Sequence, residues 1–401
     1  MAFDVAALRR RFPALAEGAA HFDGPGGSQV PQEVADAVAT TLTAAISNRG
    51  TVTAAERRAD SVVVAARAAV GDLLVADPRG VVFGRSMTQL TYDFSRTLAK
   101  QWEPGDEVVV TRLDHDANVR PWVQAAQAAG ATIRWADFDP ETGELAPEAV
   151  QSVLSDRTRL VAVTGASNLI GTRPDIAAVA ASVHAVGALV FVDGVHTTPH
   201  TQVDVGELGA DFFVCSPYKF FGPHCGVLVA EVALLESLAP DKLLPSSDNV
   251  PERFELGTLP YELLAGTTAA VDFIAGLSAG GGDRRSRVVE AMTVLEEHED
   301  RLRTRIEAGL AELPGITLYS RAARRTPTLL FSVDGYRPDE VHRALAELGV
   351  NAPAGSFYAI ETSRWLGLGD AGGVRVGLAP YNDDSDVDRL LAGVAGLASR
   401  G

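Results

Sequence analysis

Runs of apolar residues alternate with segments of helical spacing through the first 290 residues of the chain. Segments such as 31–45 and 54–74 repeat their apolar residues with helical spacing. Short apolar runs between helical segments predict buried strands at Val81–Phe83, Glu107–Thr111, Thr132–Trp135, Leu160–Thr164, Leu189–Val192 and Phe212–Cys215. Strands that alternate with helices are typical of a mostly parallel sheet covered by helices, so the pattern predicts an α/β fold.

The pattern changes near residue 286, where a long charged amphipathic helix is predicted. The elements predicted from there on are helix Val288–Leu313, strand Pro327–Val333, helix Pro338–Leu348, strand Val374–Leu378 and helix Ser385–Ala398. They suggest a small α+β layer. We therefore expect a large domain at 16–285 and a small domain formed by 1–15 and 286–401.

Composition limits the classes of partner. The chain has 401 residues, enough for two domains with their own cores, and its net charge of −17 argues against nucleic acid and anionic membranes as partners. Two cysteines cannot form a disulfide framework. The uncharged stretch 176–192 is split by Gly187 into a helix and a strand, so we expect no membrane span and a cytoplasmic location.

Polar clusters follow several of the predicted strands. Ligands of mostly parallel sheets bind beyond the carboxyl ends of the strands, so these clusters are the candidate site. Each cluster alone has an ordinary explanation, such as a helix cap or a hydrogen-bonded core histidine. Their common position at one edge of the sheet favours a role in ligand binding or catalysis. The clusters are Ser86–Thr88, His115, Asn168, Asp193, His196 and Ser216–Lys219.

Two cations stand in apolar surroundings. Lys219 lies between Tyr218 and Phe220, where desolvation should lower the pKa of its amine and allow it to form a Schiff base. A surface lysine with its stem on the aromatic rings is the alternative. Arg375 lies within the apolar strand 374–378 and needs an acid, a ligand carboxylate or water.

These parts suit pyridoxal phosphate. The cofactor needs a lysine for its aldehyde, a carboxylate for its pyridine nitrogen, a planar group to stack on its ring, and hydroxyls with a helix N-terminus for its phosphate. The chain contains candidates for each of them.

Eight motifs in order along the chain resemble the class V, fold-type I pyridoxal-phosphate enzymes of the cysteine desulfurase and selenocysteine lyase group. They are FDGPGGSQVP from Phe22, FGRSMTQL from Phe83, LDHDANVRPW from Leu113, SNLIGT from Ser167, VDGVHTTPH from Val192, residues Asp211–Gly226, RFELGT from Arg253 and VRVGLAPYN from Val374.

The resemblance implies a role for each residue around the cofactor ring. Lys219 would bind the cofactor and move the substrate α-proton, and Asp193 would pair with the pyridine nitrogen. His115 would stack on the ring and serve as an acid or base. Asn168 would reach the ring oxygen and the substrate carboxylate, and His196 stands where the family often has glutamine.

The resemblance also implies phosphate and substrate contacts. Arg375 would bind the substrate α-carboxylate. Thr258 would complete the phosphate site of a second subunit, which implies a homodimer with shared active sites. The phosphate would be held by Met87, Thr88, Ser216 and Tyr218.

The chain departs from the desulfurases at the loop that bears their persulfide-forming cysteine. Tyr358 stands at that place, and Cys215 and Cys225 suit buried packing better. We therefore expect carbon–sulfur or carbon–selenium cleavage of an α-amino acid without that relay, with a class V aminotransferase or an epimerase as alternatives. A cofactor-free binding module is the alternative from another class.

Overall fold

The computed structural model describes residues 3–399. Within them the strands are β1 (Ala20–His21), β2 (Val81–Gly84), β3 (Glu107–Thr111), β4 (Thr132–Ala136), β5 (Thr158–Thr164), β6 (Leu189–Asp193), β7 (Phe212–Cys215), β8 (Gly226–Ala230), β9 (Ile316–Leu318), β10 (Thr328–Val333), β11 (Val350–Asn351), β12 (Ala354–Gly355) and β13 (Gly373–Gly377). The α-helices are α1 (Val5–Arg9), α2 (Gln32–Thr43), α3 (Ala54–Leu74), α4 (Met87–Ala99), α5 (Arg120–Ala129), α6 (Pro147–Gln151), α7 (Ile176–Ala185), α8 (Val205–Leu208), α9 (Val232–Ser237), α10 (Tyr261–Ala275), α11 (Arg284–Ala311), α12 (Pro338–Glu347), α13 (Ile360–Trp365) and α14 (Asp384–Ala398).

A seven-stranded sheet forms the larger layer, in the order β2-β8-β7-β6-β5-β3-β4. Strands β3 to β7 pair in parallel, whereas β8 is antiparallel to both β7 and β2. Every residue of β3, β7 and β8 is buried, because helices cover both faces of the sheet. The predicted α/β fold with a mostly parallel sheet is thereby confirmed.

A second, four-stranded sheet has the order β12-β13-β10-β9 and is antiparallel throughout. Its apolar face packs on α11, α12 and α14, in a cluster that includes Leu302, Phe331 and Leu390. The N-terminal strand β1 pairs in parallel with β11 of the C-terminal part. The domain bounds at residues 15/16 and 285/286 stay a prediction.

Several elements begin or end away from their predicted bounds. The helical pattern of the sequence begins at Leu90, but helix α4 starts at Met87, because the Ser86 side chain accepts the Gln89 N–H and caps the helix. Strand β6 includes Asp193, which places this carboxyl on the last residue of the strand. Strand β8 and helix α10 are not predicted by the apolar pattern of the sequence. No helix in the described part of the chain is long and apolar enough to cross a membrane.

Candidate active site

A cavity of about 640 Å³ opens at the carboxyl ends of the central strands. Residues from the large sheet, from the turn after β1 and from strand β13 surround it. Ten of the eleven predicted site residues line this cavity: Met87, Thr88, His115, Asn168, Asp193, His196, Ser216, Tyr218, Lys219 and Arg375. The structure therefore brings together side chains that lie up to 288 positions apart in the sequence, from the edge of the parallel strands and, for Arg375, from strand β13 of the antiparallel sheet.

Lys219 ends a short 3₁₀ turn, Pro217–Lys219, that follows β7. Its amine donates a hydrogen bond to the carbonyl oxygen of Pro25 and lies 4.7 Å from the centroid of the Tyr218 ring. Burial, together with the smaller effect of the nearby Arg375 charge, lowers the pKa of Lys219 to about 7, against the opposing effect of Asp193. Near neutral pH a large share of this amine is therefore unprotonated and nucleophilic.

Asp193 supplies a buried negative charge beside that amine. Its Oδ1 accepts the backbone N–H of Val195 at 3.0 Å, and the residue is 4% exposed. Burial raises the pKa of Asp193 to about 6, while the Val195 N–H and Lys219 oppose the rise. Gly194 is required next to it, since a Cβ there would lie 1.9 Å from the Phe213 ring.

Two histidines in the cavity are neutral at physiological pH. Burial and the Lys219 charge lower the pKa of His115 to about 4. Its Nδ1 accepts the Ala117 N–H at 3.0 Å, so the ring proton of the neutral form sits on Nε2. Burial also lowers the pKa of His196 well below its usual value, and His196 Nε2 contacts the hydroxyls of Thr326 and Thr328 at 3.0 and 2.9 Å.

The N-terminus of α4 lies at one end of the cavity and suits an anion. Met87 and Thr88 are the first two residues of this thirteen-residue helix, so their N–H groups have no partner within it. Gly226 packs against the turn, where a Cβ would lie 2.3 Å from the Ser86 carbonyl carbon. Ser216 is buried nearby on the cavity wall, and burial raises the pKa of the Tyr218 phenol, which therefore keeps its proton.

Arg375 is the cation of the opposite wall. It is 3% exposed and its Nη1 donates to the Asn168 carbonyl oxygen at 2.9 Å. Arg375 Nε and Asn168 Oδ1 are buried and find no hydrogen-bond partner among the described residues. Burial lowers the pKa of Arg375 to about 9, partly offset by Asp23. An unpartnered donor beside an unpartnered acceptor suits a ligand that has both a carboxylate and a donor group.

Thr258 is the predicted site residue that this cavity does not include. It lies on an exposed bend, whereas Leu256, two residues earlier, lines a neighbouring opening together with Thr88 and Tyr218. The prediction assigns Thr258 to the site of a second subunit, and it stays a prediction.

Sequence reasoning missed four cavity residues that complete the mouth. Tyr92 lies one helical turn after Thr88, so helical spacing could have identified it. The others come from a 3₁₀ turn, from the first residue of α5 and from a loop: Asp116, Arg120 and Phe357. Tyr358, which the resemblance placed at the cysteine position, also lines the cavity.

Both cysteines are free and buried, and neither lines this cavity. Burial raises the pKa of the Cys225 thiol to about 11 and that of Cys215 still further. A thiol that stays protonated at neutral pH is a poor nucleophile, so both cysteines are better explained by packing.

The cavity residues fit pyridoxal phosphate. The residues that line the cavity include a lysine with a lowered pKa, a buried carboxylate, the N-terminus of a helix, and two residues that each have a buried polar atom with no partner among the described residues. Lys219 would hold the aldehyde carbon, Asp193 the ring nitrogen, and Met87 and Thr88 the phosphate.

Comparisons with known proteins show which family and which solved structures the chain is similar to. The chain is 36% identical to Uncharacterized protein MT3887 of Mycobacterium tuberculosis, over 99% of this chain and all of that protein. It is 33% identical to Aminotransferase-like protein FGM3 of Gibberella zeae, over 97% of both chains. The crystal structure of the cysteine desulfurase CsdA from Escherichia coli superimposes with a TM-score of 0.87 at 27% identity, covering 100% of this chain and 99% of that one.

The fold is thus that of the cysteine desulfurases, and the site has the parts of a pyridoxal-phosphate pocket. A family model, Aminotransferase class-V, matches residues 20–390. The chain belongs to this family, whose members are pyridoxal-phosphate-dependent enzymes and include cysteine desulfurases.

Proposed function

We propose that this protein is a pyridoxal-phosphate-dependent lyase that cleaves a carbon–sulfur or carbon–selenium bond at Cβ of an α-amino acid. The observation that supports it is the shared cavity of Lys219, Asp193 and Arg375 behind a loop that has no thiol. When bound, the cofactor supplies an electron sink for the electron pair left at the α-carbon.

Proton transfer falls to two residues of the cavity. The Lys219 amine, unprotonated in part at pH 7, takes the α-proton of the substrate. The neutral His115 ring has its proton on Nε2 and can donate it to the departing sulfur or selenium. Arg375 binds the α-carboxylate, since its Nε has no partner among the described residues.

The loop at the mouth argues against a persulfide relay through the protein. Phe357 and Tyr358 occupy it, and a phenol cannot store sulfur as a thiol does. Sulfide would therefore leave the site directly, and the remaining three carbons would react with one solvent water and be released as a keto acid with ammonia.

The substrate experiment supplies cysteine, selenocysteine or cystine, with and without an added keto acid, to the cofactor-loaded enzyme and identifies the products. We expect sulfide from cysteine, selenide from selenocysteine and cysteine persulfide from cystine, each with pyruvate and ammonia and independent of the keto acid. The matched variant Cys215→Ala/Cys225→Ser should keep its rate within about twofold, because neither thiol reaches the cavity.

Other product patterns would contradict the proposal. Amino transfer that depends on the keto acid would indicate a transaminase. Inversion of the configuration at the α-carbon of the recovered amino acid would indicate an epimerase. Loss of sulfur release in the double variant, with its melting temperature retained, would show that a cysteine carries sulfur. Failure to take up the cofactor at all would indicate a binding module.

We also propose a homodimer with shared sites. Leu256 and Leu244 are 55% and 98% exposed, and Leu256 lines the opening beside Thr88. Apolar side chains at such an opening favour coverage by a second chain. Light scattering should give twice the chain mass of 42.2 kDa, and a monomer at micromolar concentration would contradict this.

A further inference from the structure

One aromatic ring covers the buried arginine of the cavity. The Arg375 guanidinium carbon lies 3.6 Å from the centroid of the Phe357 ring. At this distance the negative face of the ring attracts the cation, and the attraction is stronger where water is excluded. Phe357 is half-buried and also lines the cavity, so it stands between Arg375 and the loop side of the site.

The contact is part of a closed set of three residues. Arg375 Nη1 donates to the carbonyl oxygen of Asn168 at 2.9 Å, and Asn168 Nδ2 donates to the carbonyl oxygen of Phe357 at 2.9 Å. The contact of the Phe357 ring with the Arg375 guanidinium closes the set. Each residue therefore limits the movement of the next, and the plane of the guanidinium is fixed.

The backbone of the loop that contains Phe357 has an unfavourable conformation at two consecutive residues. Phe357 and Tyr358 have φ of +52° and +60°, a region that non-glycine residues rarely adopt, and they do so consecutively. The Asp116 N–H donates to the Tyr358 carbonyl oxygen at 2.7 Å and helps to hold this conformation. Strain of this kind persists only where the surroundings enforce it, and it is concentrated at functional sites.

We propose that Phe357 is a positioning residue for carboxylate recognition: it fixes the guanidinium of Arg375 and keeps water from its covered face. The inference rests on the proposed function, in which Arg375 binds the substrate α-carboxylate. Arg375 lines the cavity, and its Nε has no hydrogen-bond partner among the described residues, so a guanidinium held in one plane keeps donor capacity for a carboxylate. The site would select free carboxylates and discriminate against amides of the same shape.

The test measures binding of propionate, a carboxylate without the reacting amine, to the cofactor-loaded enzyme. Binding is followed by the change in cofactor absorption and by the melting temperature, with propionamide as the neutral probe. Phe357→Leu and Phe357→Met remove the aromatic face but keep apolar volume, and each should weaken propionate binding about tenfold. Phe357→Tyr should bind propionate within about twofold of the wild type. None of the variants should change the binding of propionamide.

The Phe357 and Arg375 variants distinguish failure of this inference from failure of the proposed function. Phe357→Leu and Phe357→Met enzymes that bind propionate like the wild type would show that the role proposed for Phe357 is wrong. If Arg375→Lys weakens binding in the same experiment, the proposed carboxylate site is still supported. If Arg375→Lys also binds normally, the proposed carboxylate site itself is wrong. Weakening by Phe357→Tyr as large as by Phe357→Leu would likewise overturn the inference, because the ring would not be what matters.

Discussion

Lys219→Ala is expected to reduce turnover by at least about a thousandfold, because the variant loses both the covalent hold on the cofactor and the base for the α-proton. In the structure the amine has a pKa of about 7, and it shares its cavity with Asp193. Another side chain with these properties is absent from the described lining of the cavity. The measurement is the rate of product formation with saturating cofactor.

Lys100→Ala is the matched control. Lys100 is solvent-accessible at the end of α4, forms an ion pair with Asp241 at 2.8 Å, and is not among the residues that line the cavity. This variant should retain the wild-type rate, because an exposed ion pair contributes little to stability. A Lys219→Ala enzyme that keeps more than a tenth of the wild-type rate would contradict the assigned role.

Asp193→Asn is expected to keep the fold and bind the cofactor but to lower turnover about a hundredfold or more. The amide has the volume of the carboxyl, and its oxygen can still accept the Val195 N–H at 3.0 Å. It has no negative charge to keep a proton on the cofactor's ring nitrogen, so the electron sink is weaker.

The Asp193→Asn result is read from kcat and from the absorption spectrum of the bound cofactor, which should shift with ring protonation. The conservative variant Asp193→Glu should lose less, since it keeps the charge. An Asp193→Asn enzyme with unchanged kcat and spectrum would remove the ring-nitrogen role and leave Asp193 as a structural residue.

The sheet and its rim could be predicted from the sequence for a physical reason. Fully buried parallel strands are near-continuous apolar runs, and both Glu107–Thr111 and Phe212–Cys215 match the structure at each end. Parallel pairing then brings the residues after each strand to one edge. That edge contains Lys219, Asp193 and His115 in a common cavity, as predicted.

The loop of Phe357 could not be predicted in this way. Its two positive φ values belong to residues that rarely adopt them, and they are enforced by contacts with Asn168 and Asp116, about 190 and 240 positions away. Strand pairs of two residues, such as β1 with β11, likewise have too few side chains to show a period. Long-range contacts, rather than local pattern, decide these parts.

For the charge inside strand β13, the sequence raised a question about its partner that the structure helps to answer. The sequence identified Arg375 as an unusual cation in an apolar strand and left three partners open: an acid, a ligand or water. The structure buries it with its Nε unpartnered among the described residues and with a ring on its face, which favours the ligand.

The central claim is that the Lys219 amine binds the aldehyde of pyridoxal phosphate. Cofactor-depleted enzyme should be mixed with the cofactor at a series of pH values, reduced with borohydride, digested and mapped by mass spectrometry. The account predicts an adduct on Lys219 whose initial rate of formation rises with pH through a midpoint near 7, because the neutral amine is the reacting form. An adduct on another residue, or none at any pH, would contradict it.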